Sequence, residues 1–368
     1  MLENRFDQVS DRLPTYFAGA NSGEGFYSCF DNLYDPFNGD RMYILKGGPG
    51  TGKSTLMKKL SSFAEEKGFK PEIFYCSSDP DSLDAVIFPN IKAAVCDGTA
   101  PHVMEANYPG VSERVIALGD CLNCDMLEGL AADILPLFKA NKELHLKASR
   151  FIKATSGLID DSFAIDCECT DLDKVQEFAE RLSKSVLPSG ENREGKETRR
   201  FLSGITPKGI IFFEHTLTLL CDRIFAIEDE YGGTSSVIMS VLRKNALEKG
   251  LDIITCPCAM SPSRKIDHII IPSIKTAFCT SNSYLPVESV TERKIHARRF
   301  RNSSQIREHR QRLSFNRRAA DELIKEACNY LSEAKEIHDM MESFYIKSMN
   351  FKKADEFAEK IASELNKR

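Results

Sequence analysis

Nowhere does the chain carry a run of about 18 apolar residues, so no segment of it is expected to span a membrane. The opening residues, Met1-Leu2-Glu3-Asn4-Arg5-Phe6-Asp7, are too charged for a secretory signal. Nor is there a large excess of one charge: 28% charged residues and a net charge of −5 describe an ordinary globular protein. The 12 cysteines lack the spacing of a disulfide scaffold, and that number of thiols suits a reducing compartment, so the cytoplasm is the expected location. Cys121/Cys124 and Cys167/Cys169 together contain the parts of a four-thiolate zinc site. Cys-x-Cys is a poor half-site and the pairs lie far apart, so these cysteines, like Cys256/Cys258, are expected to be free thiols. At 368 residues there is room for two domains with proper cores.

What is present is a glycine-rich stretch, "KGGPGTGKST", from Lys46 to Thr55. It follows the strand-like run Met42-Tyr43-Ile44-Leu45 and precedes a helix-like one, which is the context a phosphate-binding loop requires. Gly47, Gly50 and Gly52 let the backbone curl into a concave anion site, and the helix adds its positive end. The expected binding residues are Gly47, Gly48, Pro49, Gly50, Thr51, Gly52, Lys53, Ser54 and Thr55. Lys53 would reach the β- and γ-phosphates of a nucleoside triphosphate, and Ser54 would hold Mg²⁺.

The chain is also written twice. Under a shift of 182, Asp40-Arg41 falls on Asp222-Arg223 and Glu66-Lys67-Gly68 on Glu248-Lys249-Gly250. After a one-residue gain, "DAVIFPNIKAAVC" from Asp84 matches "DHIIIPSIKTAFC" from Asp267. "SERVIALGDCLN" at Ser112 faces "TERKIHARRFRN" at Thr291, and "EFAE" occurs at Glu177 and again at Glu356. The expected division is 1–187, a solvated linker at 188–199, and 200–368. Strands are expected at 42–46, 72–76, 85–88 and 91–96, after a short opening helix. Helical regions follow at about 113–184 and 291–366, where apolar positions such as Leu323, Ile324, Ala327, Leu331 and Ala334 repeat at helical spacing. The class is α/β, with a mainly parallel sheet flanked by helices in each half and a helical appendage on each.

Duplication supplies an internal control. Opposite the glycine loop stands "EDEYGGTSSV", Glu228 to Val237, in which Ser235 replaces Lys53 and Glu228, Asp229 and Glu230 add three carboxylates. Phosphate would be repelled there, so the second loop is expected to be a pseudo-site. Residues that changed along with the loop are candidates for chemistry. Asp97, after the strand Ala93-Ala94-Val95-Cys96, fits the carboxylate that holds Mg²⁺ at a strand's end, and its partner is Thr280. An Asp97-Gly98 turn is the alternative. Asp79 and Asp81 face Ser261 and Ser263, and His102 faces Leu285; solvated turns and a loop histidine are the plain readings of these. Ile211-Phe212-Phe213-Glu214 resembles a strand ending in a catalytic glutamate, but it precedes the second loop and aligns with a helix-like stretch, and is set aside.

Between Arg293 and Arg318 stand ten Lys or Arg residues and one acid, Glu308. A solvated helix face is the first reading. The second is an in-chain arginine, Arg298, Arg299 or Arg301, facing the first loop. A nucleic-acid contact is not favoured, since no motif or aromatic platform accompanies the stripe.

The segments "GGPGTGKST", "DPDSLD", "CDGTAPH" and "YPG", with "TPKG" opening the second half, resemble a bacterial family of tandem P-loop ATP-binding proteins. The resemblance covers nearly the whole chain. It implies two P-loop NTPase-like domains in series, often with both loops intact; this chain departs from that in its second loop. "GPGTGK" is also similar to AAA-type ATPases, without a second-region arginine or sensor signature. The expected function is an Mg-dependent ATPase or ATP-driven switch using ATP and Mg²⁺, with Lys53 and Asp97 in catalytic roles and water as acceptor. A small-molecule or nucleotide kinase with a helical lid is the alternative, as is a non-hydrolysing nucleotide-binding scaffold that docks a partner protein.

Overall fold

The computed structural model describes residues 12–100 and 103–368. Its first half contains β1 (Thr15–Phe17), β2 (Gly19–Ser22), β3 (Gly25–Ser28), β4 (Arg41–Lys46), α1 (Lys53–Glu66), β5 (Glu72–Tyr75), β6 (Leu83–Phe88), β7 (Ala93–Asp97) and β8 (Glu113–Ala117). Three helices close it: α2 (Cys124–Gly129), α3 (Ala131–Glu168) and α4 (Leu172–Val186). The second half repeats the series as β9 (Glu197–Arg199), β10 (Ser203–Thr206), β11 (Gly209–Phe212), α5 (His215–Leu220), β12 (Arg223–Glu228), α6 (Gly233–Glu248), β13 (Ile253–Pro257), β14 (Ile266–Ile271), β15 (Thr276–Ser281) and β16 (Arg293–His296). It ends in α7 (Ser303–Glu308), α8 (Arg310–Ser348) and α9 (Phe351–Leu365).

Two six-stranded mixed sheets result, ordered β1-β5-β6-β7-β4-β8 and β9-β13-β14-β15-β12-β16. Strand for strand the orders are the same. In the first, β1 is parallel to β5, and β7, β4 and β8 are mutually parallel, while β6 runs against both its neighbours. Even irregularities recur. A register shift lies at Phe74/Tyr75 in one half and at Cys256/Pro257 in the other. Lys92 and Lys275, which close the turns after β6 and β14, both have left-handed backbones.

Neighbouring strand residues point to opposite faces, and here both faces are buried. Tyr43, Leu45 and Val95 face α1 and α9, in a core with Leu56, Met57, Leu60, Ala358 and Ile361. Met42, Ile44, Ala94 and Cys96 face the other way, into a core shared with Ile224, Ala226, Ala277 and Cys279 of the second sheet. The second sheet's outer face packs on α4 and α6 through Val175, Leu182, Ile238 and Leu242. Each sheet therefore has packed helices on one face and the other sheet's core on its second. An apolar run reads alike whether a helix or a sheet covers it, which is why helices on both faces were expected.

The closing helices also cross over. α4 belongs to the first half but covers the second sheet, whereas α9 belongs to the second half and covers the first. The long helices α3 and α8 run antiparallel, with Asn141 bonded to the carbonyl of Ala334 (2.7 Å) and Asn316 to Asp161 (2.7 Å). No helix among the described residues is long and apolar enough to cross a membrane.

Two local expectations are corrected, the start of the helical regions and the end of the linker. The first elements among the described residues are β1 and the β2–β3 hairpin, and both regions read as helical begin with a strand, β8 or β16. Residues 188–194 are exposed, with Gly190 donating to the carbonyl of Lys249, but the linker's last residues are not loop: β9 joins the second sheet's edge. Ile211 and Phe212 lie in β11, a strand as the sequence reads, in a hairpin with β10 that answers to β2–β3. Short strands such as these carry too few residues to show a period.

His268 in β14 is buried, stacks on Phe212 at 5.2 Å, and has no hydrogen-bond partner on either nitrogen. Burial, with Lys265 adding to it and Asp267 and Glu214 opposing, lowers its pKa to about 4. The unfolded chain takes up this proton near pH 6.5 and the native chain only near 4, so between them unfolding binds a proton and stability falls as pH falls. Urea unfolding at pH 7 and 4.5 should show an acid loss about 2–3 kcal/mol larger in the wild type than in His268→Phe.

Candidate functional site

The glycine loop joins β4 to α1, beside β7, so that Leu45 and Asp97 are register partners on parallel neighbours. Gly50 and Gly52 hold φ of +68° and +83°, which turns the chain sharply into α1. At the first turn of α1 no side chain among the described residues caps the helix. Its leading N–H groups thus lack the side-chain partner that a helix start ordinarily has.

Lys53 folds back over the loop. Its ammonium donates to the carbonyls of Gly47 (2.9 Å) and Gly48 (2.8 Å) and lies 3.5 Å from Oδ2 of Asp97. Both side chains are largely buried. Asp97 also accepts from the Thr99 N–H, while the Thr99 hydroxyl donates to Gly47 and that of Thr51 to Gly48. Oγ of Ser54 accepts from the N–H of Leu83 at 3.0 Å. The structure thus gathers Gly47, Gly48, Thr51, Lys53 and Asp97 directly, with Ser54 on the next residue. Thr55 is exposed and shares none of these contacts.

Sequence reading missed what covers this loop. A Cβ on Gly48 would come within 2.6 Å of the Tyr345 ring, and one on Gly50 within 2.8 Å of the Glu342 carbonyl. The end of α8, from the second half, therefore lies against the first half's loop, and glycine is what permits the approach. On the same helix Lys335 pairs with Asp339 (2.5 Å) and reaches Asp79 (3.6 Å). Under the 179-residue shift, Tyr345 corresponds to Asp166 and Lys335 to Ser156. Comparing the long helices as the loops were compared would have marked both positions.

At the second loop the arrangement differs in kind. Asp229, buried in the loop itself, accepts from the N–H groups of Gly232 (3.1 Å) and Ser235 (2.7 Å). Asp166, from α3, accepts from the N–H of Gly233 at 2.9 Å. Arg301 bridges both carboxylates, with Nε at 2.5 Å from Asp166 and Nη2 at 2.5 Å from Asp229. Burial raises the Asp166 carboxyl above the usual range; Arg301 pulls it down and Asp229 pushes it back up. Lys265 enters as a further cation beside Gly232, paired with Asp267 at 3.0 Å. The three loop carboxylates are not left to repel an anion: Glu228 pairs with Lys294 and Glu230 with Arg317. The anion-binding N–H groups of this loop are occupied by the protein's own carboxylates.

Most of the basic stripe is solvated, but Lys294, Arg301 and Arg317 contact the carboxylates of this second loop. Arg301 forms its lock, Arg299 lies over the rings of Phe178 and Phe300, and Arg298 is exposed. None of the contacts described for Arg299 and Arg301 reaches the first loop. Asp81 pairs with Lys208 across the halves. His102 lies outside the described residues, and the Thr280 hydroxyl, opposite Asp97, is buried. Among the described residues, His338, Asp339 and Glu342 bring ligand atoms within 4.8 Å of one another, but the Lys335 ammonium already sits on Asp339. The cysteine pairs are split: Cys121 is in the first sheet's outer core, Cys124 is exposed, and Cys169 packs with Ile165 and Leu313.

No protein-family model matches the chain, and no curated protein or solved structure shows significant similarity to it.

Two substitutions separate these effects. Gly39 has φ +81° and open space around a Cβ, whereas Gly50 has φ +68° and meets α8. Gly39→Ala should cost about 1–2 kcal/mol from backbone conformation alone, and Gly50→Ala a further 1–3 kcal/mol from overpacking; equal midpoints in urea would contradict the α8 contact. Arg301→Met leaves Asp166 and Asp229 buried without their cation and should lower unfolding stability by about 3–5 kcal/mol, against less than 1 kcal/mol for the exposed Arg298→Met.

Proposed function

We propose that the chain binds one Mg-nucleoside triphosphate, ATP by preference, at the first loop and acts as an ATPase or ATP-driven switch, the second half serving as a pseudo-NTPase partner. The observation that carries this reading is the contrast between the two helix starts. After the second loop the leading N–H groups are satisfied by Asp229 and Asp166. At the first, the fold is the same but no side chain among the described residues caps the helix, and a lysine stands over the loop. Such a start favours an anion through both its free donors and its dipole.

The residues present fit the groups required. The Lys53 ammonium is engaged by two loop carbonyls and, more distantly, by Asp97, partners that phosphate oxygens can replace with a gain in charge pairing. Ser54 and Asp97 are the oxygen ligands available to a divalent cation, which prefers hydroxyl, carboxylate and water. When bound, the metal would neutralise the phosphates and polarise the terminal phosphoryl group. The chain's own part is to orient the phosphates along the loop, with Lys53 over them and Asp97 fixed by Thr99.

Titration with a fluorescent ATP analogue and Mg²⁺ tests the proposal. One site per chain is expected, with affinity reduced at least about tenfold in Lys53→Ala, a loss on the scale of one charge-assisted contact. Two sites per chain, or an unchanged affinity in Lys53→Ala, would refute it. Phosphate release without an added acceptor would place the activity with hydrolysis rather than transfer.

A further inference from the structure

The face of α8 turned toward the first loop carries Lys335, His338, Asp339, Glu342, Tyr345 and Ile346, the i, i+3, i+4, i+7 spacing of one helix stripe. Its far end meets the loop itself, at Gly48 and Gly50. Two turns earlier, Lys335 meets Asp79. Asp79 accepts from the hydroxyl of Ser82, and the next residue, Leu83, donates to Ser54 at the start of α1. The Lys335 ammonium is therefore tied, through Asp79, Ser82 and Leu83, to Ser54 at the mouth of the loop. It is the one Lys or Arg on that stripe, and its side chain is only 23% exposed. Burial works against the charge, while the Asp339, Asp79 and Glu342 carboxylates outweigh it and keep the group protonated.

The duplication sharpens the point. The counterparts of Lys335 and Asp79 are Ser156 and Ser261, and these occupy the corresponding place: Oγ of Ser156 donates to the carbonyl of Met260, next to Ser261. Both members of the ion pair are missing where the loop is plugged, and both are present where it is open. A pair needed only to hold a long helix against a sheet would serve either half equally.

We propose that Lys335, contributed by the second half, is a phosphate-contacting residue of the first half's site, held by Asp79 and Asp339 and transferred to the terminal phosphoryl oxygens of a bound triphosphate. This rests on the nucleotide reading above and deepens it. A flexible four-carbon stem with three donors suits such a transfer between carboxylate and phosphate. Because the contact exists only with a terminal phosphate, the helix pair would sense ATP against ADP.

The test measures ATP and ADP affinities, with Mg²⁺, in the full chain. In Lys335→Met the ATP affinity should fall roughly tenfold or more while ADP changes less than about twofold, as expected for loss of one charge-assisted contact. Lys335→Arg should restore much of the preference. Asp79→Asn, which removes the resting partner but leaves the ammonium, should keep or raise the ATP/ADP ratio. Equal loss for both nucleotides in Lys335→Met, no loss for either, or a fall of the ratio in Asp79→Asn would overturn the proposal, since the pair would then be only a structural tie. Lys53→Ala separates the two levels. If it binds ATP as the wild type does, or if the wild type binds none, the nucleotide reading itself is wrong and this inference falls with it; if Lys53→Ala loses ATP while Lys335→Met does not, only the role of Lys335 is refuted.

Discussion

Everything in this molecule depends on the apolar core shared between its two sheets. Met42, Ile44, Ala94 and Cys96 from one and Ile224, Ala226, Ala277 and Cys279 from the other form a single buried layer. Burial of such surface is the largest favourable term in folding, so neither half can give up the other without exposing a full sheet face. Small side chains at several of these positions suit a close approach of the sheets. With one face of each sheet taken in this way, only the outer faces remain for helices, and the crossing of α4 and α9 supplies them from the opposite half.

That crossing has a consequence for the loops. To reach the other sheet, each half must send a long helix across the molecule, and each such helix ends against the other half's loop. α3 delivers Asp166 to Gly233, and α8 delivers Glu342 and Tyr345 to Gly50 and Gly48. The same path therefore produced two outcomes. One helix end carries a carboxylate that satisfies the helix start, with Arg301 compensating the charge. The other brings an aromatic ring, and no side chain among the described residues caps that start. Buried carboxylates in such numbers are tolerable only because each is paired or hydrogen-bonded.

Much of this was legible in the residues. The shift that superimposes Asp84–Cys96 on Asp267–Cys279 foretold two sheets of like order, and the apolar run before Lys46 foretold a strand feeding a turn and a helix. Asp97 was legible as a carboxylate at a strand's end; that its strand lies next to β4, with Asp97 3.5 Å from Lys53, came only from the fold. The acidic second loop was legible as unlike the first, but its physics was misjudged. Glu228, Asp229 and Glu230 suggested repulsion at an open mouth, whereas Asp229 turns inward and fills the nest. Whether a carboxylate faces solvent or its own backbone is a matter of φ and ψ and of a neighbouring arginine, and composition does not report it.

The sequence alone determined the repeat, the alternation of strands and helices, and the chemical identity of the two loops, because these are local patterns of spacing and residue type. Tertiary structure decided which helix covers which sheet, that Arg301 serves the second loop and not the first, and that Tyr345 meets the first loop while Lys335 meets Asp79. Those outcomes join residues some 50 to 300 positions apart, through contacts such as Asp79 with Lys335 and Asp166 with Arg301. No local period encodes such a contact; it follows only once the shared core has set the two sheets and the crossing helices in place.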